Sequence, residues 1–304
     1  LKRRGADFVK ILTLPSREAF FAVADEAHKQ NISLVGHLPI DVSAAEASDA
    51  GMHSSEHLFY SAFSLSLSEH EAELRKRLAE AQKARDYSAQ EKVTHDAESS
   101  YSADKAAALW QTLKRNGTWV SPTLASLDIS SRPQHWDPND PGLAFVPPAL
   151  AKEWRASIND PSVKNRAAWM QRQSSNDWKL TGEMHRAGVS LLVGSDSLDP
   201  FVFPGDSLHH ELAEFVQAGF TPLEAIQAAT RGAAQFLGRE KDFGTVEAGK
   251  VADLVLLDAN PVENIANSRK ILAVIRNGQY LDRAALDMLL ARAKSAAAAA
   301  PAEK

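Results

Sequence analysis

The chain has 304 residues, 44% of them hydrophobic and 24% charged, a balance that excludes a disordered or fibrous protein and suits one large or two modest folded domains. Thirty-four basic against 39 acidic side chains leave a net charge of −5, which argues against a nucleic-acid surface built on bulk positive charge. There is no cysteine, so disulfide scaffolds, iron–sulfur clusters and thiol nucleophiles are excluded, any metal must be held chiefly by His or carboxylate, and no apolar run reaches the length of a membrane span.

Leu1 is followed by no charged-then-apolar leader, and the chain enters an apolar strand, Ala6 to Leu12, so abruptly that we expect a preceding segment to be missing. Pro15 and Ser16 open a helix through about Asn31, with Phe20, Val23, Ala24 and Ala27 on one stripe. ISLVG (32–36) reads as a second strand, Asp41–Ala50 as a short helix closed by Gly51, and HSSEHLF (53–59) as a third, weaker strand. TWVSPTL (118–124) and VSLLVGSD (189–196) supply a fourth and a fifth strand. Helical patterns occupy 68–95, 103–116, 162–187, 206–218 and 221–237. Strands apolar on both faces, alternating with helices, predict a parallel α/β sheet or barrel. Two insertions interrupt the repeat: 60–117, helical and strongly charged, and 125–178, rich in Trp and Pro. Insertions of this size often form lids over a barrel mouth, although tryptophans are also ordinary packing anchors. From Gly244 onward, GTVEAGKVADLVLLD and ILAVIRNGQYL predict β-strands with turns at Gly249 and Asn277-Gly278, and Ser295–Lys304 is an alanine-rich helical tail.

The ends of these strands carry the chemistry. Lys10 lies on the first, His37 (VGHLP) ends the second, His57 (SSEHL) the third and Asp196 (VGSDS) the fifth. In parallel barrels the C-terminal strand ends build the active site, so these four groups are expected to converge. Lys10 stands among residues expected to be buried; a desolvated amine tends to neutrality and can add carbon dioxide to become a carbamate, the alternative being a lysine that snorkels or pairs with an acid. His37 and His57 fit Zn, Mn, Fe or Co better than Ca or Mg, the alternative being hydrogen-bonded core histidines. His53 shares a strand face with His57 and competes with it. Asp196 either caps the next helix or exchanges a proton with metal-bound water. Tyr60 either donates to a substrate carbonyl or is a half-buried rim tyrosine.

Taken in order, GADFVK, VGHLP, SSEHL and VGSDS resemble the amidohydrolase superfamily of metal-dependent hydrolases, in its imidazolonepropionase-like and prolidase-like branch, and the tail from LHHELAEFVQAGFTPLEAIQAATRGAAQFLG to VIRNGQ is similar to that family's closing segment. The resemblance implies an α/β fold, the C-terminal part of a TIM-like (β/α)8 barrel, with strands four to eight in 1–240, part of a small β-sandwich module in 241–285 and a helical tail in 286–304. It implies that Lys10 is an N-carboxylated lysine bridging two divalent metals, expected to be Zn, that His37 and His57 bind the second metal, and that Asp196 binds the first and works as general acid/base. His209 or His210 is implied to approach substrate. The implied reaction is cleavage of a C–N bond in a small amide, cyclic amide or dipeptide by metal-activated hydroxide. The family's His-x-His pair is absent from this sequence. The chain is therefore expected to be the later part of a longer enzyme, with an inactive or one-metal remnant as the alternative. A missing N-terminal segment or a second copy would then cover the open edge, and neither nucleic acid nor membrane is expected as a partner.

Overall fold

The structure, a computed structural model, describes residues 1–13, 15–58 and 62–300. The chain divides into two compact units, Leu1–Pro122 with Lys179–Leu192, and Thr123–Trp178 with Val193–Lys304.

The first unit is built on four parallel strands in the order β1-β2-β3-β4: β1 (Phe8–Ile11), β2 (Ser33–Gly36), β3 (Met52–Glu56) and β4 (Trp119–Ser121). The returns between parallel strands are helical, as parallel pairing requires. They are α1 (Arg17–Lys29), α2 (Ala44–Asp49), and the trio α3 (Glu71–Ala84), α4 (Tyr87–Ser99) and α5 (Ala103–Asn116). Ser16 caps α1 by accepting from the Ala19 N–H, and Ser43 with Glu46 forms a reciprocal capping box on α2. The single helical pattern at 68–95 is in fact two helices: Arg85 turns left-handed at φ 53° to end α3, and Asp86 accepts from the Ala89 N–H to start α4. The fifth predicted strand shrinks to one parallel bridge, Val120 with Leu191, made by the Val120 N–H to Ser190 and the Leu192 N–H to Val120. Pro122 lacks an N–H, so the ladder cannot continue past Ser121. The sheet is an open arc, not a closed barrel.

The second unit opens with α6 (Leu124–Ser131) and α7 (Pro148–Ser157) and takes in α8 (Pro161–Ala187) as far as Trp178. Here Trp136 and Trp154 of the insertion are packing anchors: Trp136 stacks on Phe201 at 5.0 Å between centroids, and Trp154, fully buried, lies 5.5 Å from Phe203. Then come α9 (Asp206–Gln217), α10 (Pro222–Gln227) and α11 (Ala233–Phe236), the last two joined by a π-helical turn over Ala228–Gly232. The β-module is a three-stranded antiparallel sheet, β5 (Leu254–Leu257), β6 (Ile271–Arg276) and β7 (Gln279–Leu281). Asn277 and Gly278 make its hairpin with φ 48° and 78°, the double positive φ that a type I′ turn needs. The exposed helix α12 (Arg283–Ala298), capped by Asp282, follows it. Among the described residues no helix is long and apolar enough to cross a membrane.

Candidate metal centre

Three adjacent strands of the first unit end at one place. The chain leaves β2 through Gly36, whose φ is 120°, and the His37 N–H donates to the Ile11 carbonyl of β1 at 2.8 Å. A Cβ at Gly36 would lie 2.1 Å from that carbonyl oxygen, so glycine is what allows His37 to close against β1. His57 follows β3 directly, in the left-handed region at φ 60°, its N–H held by the Ser121 carbonyl of β4 at 2.9 Å. Left-handed backbone at a non-glycine residue is costly and persists where the surroundings hold it.

These two backbone devices bring the rings together, with centroids 4.7 Å apart and planes at 86°. The Glu56 carboxylate joins them: His37, Glu56 and His57 each offer a ligand atom within 4.8 Å of the others. His57 is 4% exposed, and burial, then the neighbouring His37, pushes its imidazole down to about 4. A neutral imidazole with its lone pair free is the form a metal binds. His37 Nδ1 pairs with the Thr13 hydroxyl at 2.9 Å, which fixes the ring. Two imidazole nitrogens and one carboxylate oxygen, with His57 buried and His37 and Glu56 partly so, form a donor set suited to a first-row divalent ion of the zinc class.

The expectation that Lys10 is buried needs correction, and of its two readings the pairing with an acid is the one found: its side chain is 49% exposed and its Nζ makes an ion pair with Glu56 Oε2 at 2.6 Å. Lys10 therefore reaches the cluster through Glu56, a residue not among the candidate ligands read from the sequence. The signal that could have found it is its place as the last residue of a strand whose next residue is a candidate ligand. His53, the competing histidine, stands at the other end of β3, lining a small cavity with His28 and Asn31.

Asp196 belongs to the second unit, exposed and left-handed at φ 48°. It does not cap the following helix, whose N-cap is Gly205. Burial, with Asp196 adding to it, raises the carboxyl of nearby Asp199 even though that group accepts from the Ser126 hydroxyl. His209 pairs through Nδ1 with the Ser268 hydroxyl at 2.9 Å, which ties it to the turn before β6. Tyr60 lies outside the described residues.

Residues 15–281 match the amidohydrolase family, and the chain belongs to that family. The match includes His37, Glu56, His57 and Asp196 and begins after Lys10. The chain is 34% identical over 113 residues to imidazolonepropionase of Shouchella clausii, covering 33% of this chain and 25% of that protein. It is 34% identical over 112 residues to ochratoxinase of Aspergillus niger, covering 36% of this chain and 22% of that one. It is also similar in structure to a bottromycin amidohydrolase (TM-score 0.62, 24% identity, 96% of this chain and 59% of that chain). A Xaa-Pro dipeptidase is similar too (TM-score 0.59, 18% identity, 92% of this chain and 56% of that chain). The chain thus spans a quarter or less of these curated relatives and a little over half of these solved structures. The structural likenesses show the fold: a portion of a TIM-like α/β barrel.

Proposed function

We propose that this chain carries the metal-holding strands of a metal-dependent hydrolase that cleaves a C–N bond in a small amide, cyclic amide or dipeptide, with zinc as the metal. The observation that carries the reading is the meeting of His37, Glu56 and His57 at the ends of adjacent parallel strands. A divalent ion held there supplies a lowered pKa to water and polarises a carbonyl oxygen. The protein's own part is to keep the His57 imidazole neutral by burial, to orient the His37 ring through its Thr13 pairing, and to hold the Glu56 carboxylate beside them. In this reading Asp196 takes a proton from the attacking water and returns it to the leaving nitrogen, and Lys10 is carboxylated when metal is present. Carboxylation would add carbon dioxide to Nζ and release a proton; it would turn the cation of the Lys10–Glu56 pair into an anion, whose charge a bound divalent ion would offset. Relatives named for imidazolonepropionase, ochratoxinase and dipeptidase activity support a C–N substrate.

The test is metal content by equilibrium dialysis together with a hydrolysis screen on N-acyl amino acids, cyclic amides and prolyl dipeptides. We expect zinc to bind, and His37→Ala or His57→Ala to lower its affinity at least 100-fold and abolish turnover. A chain that binds no zinc sinks the reading. The Lys10–Glu56 ion pair favours one second reading, a one-metal binding chain without turnover; one zinc per chain, with activity only after a segment bearing further ligands is supplied, would establish it.

A further inference from the structure

We propose that Asp128, His210 and Glu214 form a second divalent-cation site, for an ion of the zinc class, within the second unit. His210 and Glu214 stand one turn apart on α9, so their side chains share a face, and Asp128 comes from α6. His210 Nε2 lies 3.2 Å from Asp128 Oδ2 and 3.1 Å from Glu214 Oε1, and the three donor atoms are all within 4.8 Å of one another.

Two features favour a cation over a simple hydrogen-bonded strut. First, one imidazole nitrogen supplies at most one proton, and two carboxylate oxygens compete for it. Both separations exceed the roughly 2.7–2.9 Å of a charge-assisted N–H···O bond. They approach instead the spacing of about 3.3 Å between ligands of a tetrahedral ion with bonds of about 2.0 Å. Second, each carboxylate turns one oxygen to His210 and has a separate partner at the other. Trp178 Nε1 donates to Glu214 Oε2 at 2.5 Å, which orients that side chain as outer partners of metal-ligating carboxylates do. Arg132 lies 2.7 Å from Asp128 Oδ1, yet that buried oxygen accepts no aligned hydrogen bond. The Asp128 and Glu214 side chains are 4% and 10% exposed while His210 is 30% exposed, so an ion has a route in to a buried carboxylate pair. On binding, the cation takes the place of the Nε2 proton, which passes to solvent. Three protein ligands from two helices leave one position for water.

The site is independent of the strand-end centre, and the experiment separates the two. The full chain carrying His37→Ala and His57→Ala is stripped of metal and titrated with Co2+ at mildly alkaline pH, following the visible bands of a four-coordinate ion. We expect one Co2+ per chain to remain, and its affinity to fall at least 10-fold when His210→Gln, Asp128→Asn or Glu214→Gln is added. Circular dichroism checks that each variant is folded. No Co2+ bound by the folded chain, or binding that none of the three substitutions weakens, overturns the proposal. If the substituted chains do not fold, anomalous scattering from zinc-soaked crystals of the unsubstituted chain decides: a peak among the three side chains supports the site, and its absence overturns it. Loss of zinc at His37 and His57 alone would sink the hydrolase reading and leave this one standing.

Discussion

Gly36 shows how much a single residue decides here. Its φ of 120° and the 2.1 Å that would separate a Cβ from the Ile11 oxygen leave no room for any side chain, and the next residue is a candidate ligand. Gly36→Ala should destabilise the fold by about 3 kcal/mol, from left-handed strain plus a backbone clash, read as a lower urea midpoint. It should weaken zinc binding even in the fraction that stays folded, because His37 loses its hydrogen bond to Ile11. An unchanged midpoint would show that the β1–β2 contact yields more easily than the geometry implies. Most of this was legible beforehand: VGHLP and SSEHL mark strand ends that carry histidines. That Lys10 sits beside Glu56 and not in a dry pocket was not legible, since a lysine flanked by apolar residues has the same sequence signature whether its strand is covered or exposed.

Between elements, α1 and α2 are clasped by Arg17 and Glu46, and the same Glu46 closes the Ser43 capping box. The Arg17 guanidinium, opposed by partial burial and helped by the Ser43 backbone N–H, holds the Glu46 carboxyl down at about 2 against an ordinary 4.5. The depressed value fixes the sign: the contribution is present above about pH 4.5 and is lost as pH falls towards 2. Because both side chains are over 40% exposed, screening reduces its size to roughly 1 kcal/mol. Glu46→Gln should therefore cost about that much at neutral pH, and denaturation curves should show the difference from wild type vanishing in acid. A gap that persists at pH 2 would place the effect in packing. Element positions followed from periodicity and caps, while the break at Arg85 escaped it, because a charged residue in an amphipathic run carries no mark of left-handed backbone.

At the scale of the whole molecule, metal binding is a linkage to folding. Zinc at a hundred times its dissociation constant should raise stability by about 2.7 kcal/mol and lift the melting temperature by several degrees. A chelator should reverse the rise. The shift should shrink when His37 and His57 are both replaced by Ala, and a thermal scan with and without zinc checks it. A melting temperature indifferent to zinc would remove both cation sites at once.

The residues alone determined the class of fold, the order of strands and helices, the hairpin at Asn277-Gly278 and the identity of two imidazoles at strand ends. Those features rest on local physics: side-chain period, capping groups and glycine's freedom at positive φ. Tertiary structure decided what local patterns do not encode. It shortened the fifth strand to a bridge, recruited Glu56, tied His209 to Ser268, and brought Asp128, far away in sequence, to His210 and Glu214. Each of these depends on which distant groups share a low-dielectric neighbourhood, and that is a property of packing, not of any stretch of chain.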